Sequence, residues 1–310
     1  MTRIAQIVAV ACAAGLLLAF PAAGLAAQTF GSLLKNSPAP GPDPCVDTAP
    51  GPCTLVGFIN PNDAGDPVSS PAPASGVIVR FRLRTTGAEA VTLRLATVTK
   101  QGDTFLAQAV RTGPTVTTQG TDAIEEFPAR LAVRQGELLA LDAPSARMVY
   151  NQGGNEYTPL YGPPLVEGQG PRGQGGITGE LLLQAVMEPD VDGDGFGDET
   201  QDGCPGQKAN QGACDTAGPR ISRIALGARR VSYRLSEDAA MTFRMQRLRA
   251  GRYRSLRGRF TDKGEAGTNR RSLPRRFRRS RLSPGRYRLL VTGSDQFGNQ
   301  AQKVKKFRVR

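Results

Sequence analysis

Aspartates recur in a tight register in the stretch Asp190-Val191-Asp192-Gly193-Asp194-Gly195-Phe196-Gly197-Asp198-Glu199-Thr200-Gln201-Asp202-Gly203-Cys204-Pro205. Carboxylates at the first, third and fifth places of a loop can wrap one side of a hard cation. A glycine in sixth place permits the sharp turn that follows. The seventh backbone carbonyl then points inward, and the ninth residue contributes directly or through water. Asp190, Asp192, Asp194, Gly195, Phe196 and Asp198 hold those places in order. Every donor is an oxygen, which is the ligand set of calcium. The twelfth place holds Gln201 instead of glutamate; Asp202, one residue later, is the natural closing carboxylate, with Glu199 in reserve. A solvated acidic linker would have no reason to keep this register. Clustered carboxylates repel one another, so the segment is expected to be flexible without the ion and stiff with it.

No helix pair flanks the loop, because Pro189 precedes it and Gly203-Cys204-Pro205 follows. An Asp-rich loop that ends in a Cys-Pro step resembles the thrombospondin type 3 repeat, here as a single copy of about 16 residues. The resemblance implies calcium held by Asp190, Asp192, Asp194, the Phe196 carbonyl, Asp198 and Asp202. Long arrays of such repeats have mechanics that one copy does not inherit.

The elements that must position this loop read as strands throughout. Residues 28–75 are rich in Pro, Gly, Asp and Asn, with one strand expected at 54–59. In 77–84, Val77, Val79, Phe81 and Leu83 alternate with Arg80, Arg82 and Arg84, the pattern of a half-buried antiparallel strand. Runs at 91–98, 104–110, 126–133, 137–141, 147–151 and 177–187 continue the series, and residues 161–176 read as a Gly/Pro/Gln-rich mobile loop. Farther on, strands are expected at 221–226, 230–235, 241–248, 252–260, 268–273, 285–292 and 302–309. The stretch Leu282-Ser283-Pro284-Gly285-Arg286-Tyr287-Arg288-Leu289, followed by Asp295-Gln296-Phe297-Gly298-Asn299, resembles bacterial immunoglobulin-like or fibronectin type III-like modules. The fold expected is all-β. It comprises a jelly-roll-like sandwich over 28–188, a calcium-loop connector over 189–218, and a seven-stranded immunoglobulin-like sandwich over 219–310.

Charge divides the chain in the same way. Residues 219–310 hold 27 Lys and Arg against five Asp and Glu, a net +22, whereas residues 1–218 carry a net −9. The dense run Arg270, Arg271, Arg275, Arg276, Arg278, Arg279 and Arg281 suits an anionic polymer or glycan of a cell envelope, although a GC-rich coding bias also produces arginine excess. Sparse aromatics and the lack of a nucleic-acid motif argue against a specific nucleic-acid partner.

The first residues have the layout of an export signal. Met1-Thr2-Arg3 is basic, 4–20 is almost wholly apolar, and 21–27 offers small residues, with cleavage expected after Ala26 or Ala27. No later segment is apolar enough to span a bilayer. Removal of Cys12 with residues 1–27 leaves Cys45, Cys53, Cys204 and Cys214, and proximity favours Cys45–Cys53 and Cys204–Cys214 disulfides among three possible connectivities. With no histidine in the chain, Ser-His-Asp and Cys-His chemistry is excluded. Glu125 and Glu126 are adjacent, so on a strand they face opposite sides and cannot flank one glycosidic bond. The reading is a non-enzymatic, secreted, calcium-binding protein of the cell surface or medium, serving adhesion or envelope and matrix binding. One alternative is a carbohydrate-binding protein with Tyr150, Tyr157 and Tyr161 as a glycan rim; another is a hydrolase that works with carboxylates alone.

Overall fold

Period-2 burial builds the described part of the chain mainly from strands. The computed structural model describes residues 26–39, 45, 51–57, 71–102, 104–150 and 157–310. The export signal lies outside the described residues except for Ala26 and Ala27, as does the end of the strand expected at 54–59. Contacts divide the chain into two compact units, Met1–Gly206 and Gln207–Arg310. The acidic loop therefore groups with the first unit, whereas the sequence reading had set it apart as a connector.

The first unit contains β1 (Gln28–Gly31), β2 (Cys53–Val56), β3 (Gly76–Arg84), β4 (Ala90–Gln101), β5 (Thr104–Thr117), β6 (Ile124–Val133), β7 (Leu138–Ala143), β8 (Val149–Tyr150), β9 (Tyr157–Tyr161), β10 (Arg172–Gln174), β11 (Gly176–Thr178), β12 (Glu180–Leu181) and β13 (Leu183–Glu188). One sheet has the order β1-β13-β3-β6 and the other β10-β5-β4-β7-β2-β9-β11, with β8 and β12 forming a small pair. Their inner faces meet in one core: Phe30, Ile78, Phe81, Leu83 and Leu183 come from the first sheet and Leu55, Leu93, Leu95 and Leu141 from the second. The unit is a β-sandwich. Cys45 and Cys53 form a disulfide inside this core, with Cα atoms 5.6 Å apart. Cys204 and Cys214 are disulfide-bonded as well.

Two local readings change. The run 177–187 is broken by Gly179, whose φ of +143° only glycine adopts readily, into β11, β12 and β13. In β3 the register shifts between Ile78 and Arg80 at a β-bulge. Ile78, Phe81 and Leu83 enter the main core, while Val77 and Val79 join Val186 in a separate buried cluster. The expected single face Val77/Val79/Phe81/Leu83 is thus split across the sheet, because a bulge inserts one residue and reverses the alternation on one side of it.

The glycine-rich stretch 161–176 holds strand β10, which pairs with β5. Tyr161 beside it is fully buried and donates its hydroxyl to the Phe105 carbonyl at 2.8 Å. Tyr157 stacks on Phe105 with ring centroids 5.0 Å apart. Tyr161 therefore packs the sandwich and is closed to a glycan.

The second unit contains β14 (Ser222–Leu226), β15 (Arg230–Leu235), β16 (Ala239–Arg249), β17 (Arg252–Ser255), β18 (Phe260–Gly264), β19 (Gly267–Ser272), β20 (Gly285–Ser294) and β21 (Gln300–Val309). Sheet β14-β15-β19 faces sheet β17-β16-β20-β21, and β18 also pairs with β16. The core between them holds Val231, Tyr233, Met241, Phe243, Phe277, Leu289 and Val291. Eight strands stand where seven were expected. The run 252–260 breaks around Gly258, whose φ is +89°, so β17 pairs with the second half of β16 and β18 with the first. The arginine run lies on two short 3-10 turns, Arg275–Phe277 and Arg279–Arg281, which plant Phe277 in the core.

Burial pushes the Tyr161 hydroxyl up to about 12 from an ordinary 10.0, helped by Tyr157 and opposed by Arg172. A raised folded value means stability that is complete below pH 10.0 and lost as pH rises through about 12. Alkaline unfolding of the first unit should steepen across that window, followed by tyrosinate absorbance alongside circular dichroism. Tyr161→Phe should flatten the slope while costing about 1 kcal/mol at neutral pH for the lost hydrogen bond. An unchanged slope would count against a buried, neutral Tyr161.

Candidate metal centre

The acidic loop begins where β13 ends. Glu188, the last residue of β13, is 1% exposed, yet its carboxylate is fully engaged. Oε2 accepts from the Glu199 and Thr200 backbone N–H groups at 3.0 and 2.9 Å, and Oε1 accepts from the Thr200 hydroxyl at 2.7 Å. This carboxylate holds the far end of the loop against the strand that starts it. The chain closes there in a single turn, with the Gln201 and Asp202 N–H groups donating to the Gly197 carbonyl at 3.0 and 2.9 Å.

Gln201 explains the missing twelfth-place glutamate. Its Nε2 donates to the Ala129 carbonyl of β6 at 2.8 Å, and its Oε1 accepts from the Gly197 N–H at 3.3 Å. A glutamate could not make that donation. Next to it the Arg130 guanidinium lies 4.4 Å from the centre of the Phe196 ring. The loop is thereby docked on the outer side of β3 and β6. Gly197 is buried against Val79: a Cβ there would stand 2.5 Å from both Val79 Cγ1 and Glu188 Oε2. The cluster Val77, Val79 and Val186 is covered at this point by the loop.

Within the loop the sixth-place turn forms as expected, with φ of +86° at Gly195 and +71° at Gly193. Asp190 accepts from the Asp194 and Gly195 N–H groups at 2.9 and 3.1 Å, and Asp194 Oδ1 from the Phe196 N–H at 2.8 Å. These bonds fold the backbone around the carboxylates. Carboxylate oxygens of Asp190, Asp192 and Asp194 all lie within 4.8 Å of one another. Oδ2 of Asp202 is buried without a hydrogen-bond partner, and both oxygens of Asp192 are buried with no hydrogen bond of good geometry, the Asp194 N–H beside them being donated to Asp190. Asp202 itself is only 5% exposed, and its other oxygen accepts from the Cys204 N–H at 2.7 Å. Burial pushes the Asp192 carboxyl up, and the charges of Asp194, Asp202 and Asp190 add to the rise against the Asp194 N–H, which lowers it. Asp198 is also pushed up, by burial first, and then by Asp190, Asp202 and Asp192 against a Val191 N–H bond. The structure thus gathers Asp190, Asp192 and Asp194, with Asp198 and Asp202 near enough for their charges to be felt. Glu199 is engaged elsewhere: its Oε1 accepts from the Ala27 N–H at 2.6 Å, next to β1.

An orphaned carboxylate in a buried position is costly unless a cation meets it. Poorly satisfied carboxylate oxygens of Asp192, gathered with those of Asp190 and Asp194, fit a hard, oxygen-seeking cation. A second group of carboxylates, Asp215, Glu237 and Asp295, also gathers within 4.8 Å. There the buried Asp295 is satisfied by its own turn, accepting from the Phe297 and Asn299 N–H groups at 2.9 and 2.8 Å and from Asn299 Nδ2 at 2.9 Å. Sequence reading missed this group because its members lie far apart in the chain. The Glu125-Glu126 pair diverges as its adjacency requires: Glu126 pairs with Arg82 at 2.7 Å, while Glu125 accepts from the Gln119 and Gly120 N–H groups.

Gly197→Ala should lever the loop off Val79 and Glu188. A loss of roughly 1–3 kcal/mol is expected for the first unit in denaturant titration, with faster proteolysis inside the loop. A wild-type melt and wild-type proteolysis would show that the loop does not dock there.

No protein-family model matches the chain, and comparison with curated proteins returns no match. Among solved structures, a calcium-binding mutant of Bacteroides uniformis beta-glucuronidase 2 aligns at 11% identity over 76% of this chain and 24% of that one, with a TM-score of 0.15. A Ruminococcus gnavus beta-glucuronidase in complex with D-glucuronic acid aligns at 10% identity over 83% of this chain and 45% of that one, with a TM-score of 0.16. The chain therefore spans about a quarter to a half of these enzymes' lengths.

Proposed function

We propose that this is an exported, non-enzymatic, calcium-binding protein of the cell surface or medium, whose ion fastens the acidic loop onto the first β-sandwich and so maintains a scaffold for adhesion or envelope binding. The observation that carries this reading is the approach of the Asp190, Asp192 and Asp194 carboxylates within 4.8 Å, beside buried oxygens of Asp192 and Asp202 that lack a well-formed hydrogen bond. Asp190, Asp192, Asp194, Asp198 and Asp202, with the Phe196 carbonyl, would hold the ion. The ion supplies charge compensation there. Export is supported by the apolar start of the sequence and is compatible with the disulfides. Among the described residues no helix is long and apolar enough to cross a membrane.

Binding to the folded state alone stabilises it by mass action. At a free calcium concentration about a hundredfold above Kd, the first unit should gain about 2.7 kcal/mol, and extracellular sites of this kind bind at roughly 10⁻⁴–10⁻³ M. Calcium should raise the melting temperature of the first unit, a chelator should reverse the rise, and Asp192→Ala combined with Asp194→Ala should abolish it. A chelator-insensitive melt of the wild-type protein would sink the proposal.

A further inference from the structure

The outer face of sheet β17-β16-β20-β21 carries cations in an arrangement that sheets ordinarily avoid. Tyr287, Leu289 and Val291 of β20 point into the core, so Arg286, Arg288, Leu290 and Thr292 point out. Register places Arg286 opposite Arg308 and Arg288 opposite Lys306 of β21. Like charges directly opposite one another destabilise a strand pair. Four cations thus share a patch of about 5 by 7 Å at the backbone. No carboxylate pairs with them; the one ion pair found among the described residues of this unit is Arg271 with Asp262, which lies elsewhere.

The other sheet of the same unit is also rich in arginine but is built differently. Arg230 faces Ser272, Arg234 faces Thr268, and Arg270 faces Ser232. Each outward cation there has a hydroxyl opposite it. Coding bias toward arginine would load both faces without distinguishing them. Edge protection by lysine explains charge on β21, which ends its sheet. It does not explain Arg286 and Arg288, which lie on an interior strand.

Two further rows run beside the cations. Leu290 and Val304 are opposite one another and form an apolar pair, with Val304 43% exposed and Arg244 of β16 on the other side of Leu290. Beyond them Thr242, Thr292 and Gln302 line up across three strands, a row of hydroxyls and an amide. The aromatic ring on this face, Tyr253, is covered by the Arg288 guanidinium 4.3 Å above it. Base stacking, on which single-stranded nucleic acid depends, therefore lacks an open ring.

We propose that this face binds a linear acidic polysaccharide, with Arg286, Arg288, Lys306 and Arg308 taking its carboxylate or sulfate groups, Leu290 and Val304 its C–H surfaces, and Thr242, Thr292 and Gln302 its hydroxyls. The inference deepens the envelope-binding reading above and rests on it. Repeating anionic groups on a polyhydroxylated chain match the three rows together; Arg288 donates to Gln246 at 2.5 Å within the sheet, but no carboxylate offsets the charge of the opposed cations.

The test uses the full calcium-loaded chain, with polygalacturonate and heparin as probes and a DNA duplex as comparison, titrated at several salt concentrations. Replacing all four cations with Ser (Arg286→Ser, Arg288→Ser, Lys306→Ser, Arg308→Ser) should weaken binding to at least one polysaccharide by roughly tenfold to a hundredfold, the scale of several surface charge contacts. A second variant, Arg286→Ser with Lys306→Ser, keeps Arg288 on Tyr253 and guards against misfolding; it should still lose roughly threefold to tenfold on the same scale. An isocharge control, Arg229→Ser, Arg230→Ser, Arg234→Ser and Arg270→Ser, should leave affinity nearly unchanged. Equal losses in the face and control variants, no binding to either polysaccharide, or tighter binding to DNA at equal charge concentration would each overturn the proposal. Thermal melts with and without chelator in the same samples separate the two claims. A calcium shift without polysaccharide binding refutes this face alone, and binding without a calcium shift refutes the loop reading alone.

Discussion

Carboxylates gathered beside a dry apolar patch repel one another and resist leaving water, and the first unit requires both at one spot. The bulge in β3 turns Val77 and Val79 away from the main core, where with Val186 they would meet solvent. The loop that covers them is the one that carries the aspartates. Glu188 and Gln201 hold it down through part-buried hydrogen bonds, and the same loop carries Asp192 and Asp202 with buried oxygens that lack a well-formed hydrogen bond. Two like charges about 4 Å apart cost about 4 kcal/mol at the effective dielectric near a protein surface. A divalent ion would convert that cost into attraction, so on the proposed reading closing the loop, covering the valines and binding the ion would be one coupled event.

The carboxylate cluster was readable in the sequence because each candidate follows from a fixed place in a short stretch. Asp190, Asp192, Asp194, Gly195, Asp198 and Asp202 need no knowledge of the rest of the chain. What the loop rests on was hidden. Gln201 looked like a defect at the twelfth place, and its role shows only when Ala129, 72 residues away, is seen to accept its amide proton. Glu188 ahead of Pro189 gave one usable signal, a carboxylate ending an otherwise apolar strand, but nothing local says that it is buried. Val79 was placed on the wrong face because alternation carries no mark of an inserted residue. Pro189 and Gly203 punctuate the segment as a linker would, which is why a docked loop read as a connector. In the second unit alternation placed the strands well, since Val231, Tyr233 and Leu235 or Tyr287, Leu289 and Val291 are buried by that rule. It could not supply the cross-strand register, and the opposed pairs Arg286/Arg308 and Arg288/Lys306 exist only through register.

The two charged features call for different counterions because their geometry differs. In the loop, successive turns fold the chain back on itself, so carboxylate oxygens from residues 190, 192 and 194 come within 4.8 Å of one another and a single point charge can serve them all. On the sheet, side chains stand outward from a surface that cannot close around anything, and cations recur at the strand spacing. A small anion would touch one or two of them and leave the rest opposed. An extended chain with charges at intervals meets them all, and releases the ions that screened each side. The −9 of the first 218 residues and the +22 of the last 92 are therefore not one electrostatic property divided between two units. The acidic charge is concentrated where one ion could offset part of it, whereas the basic charge is spread along strands and suits a partner as extended as they are.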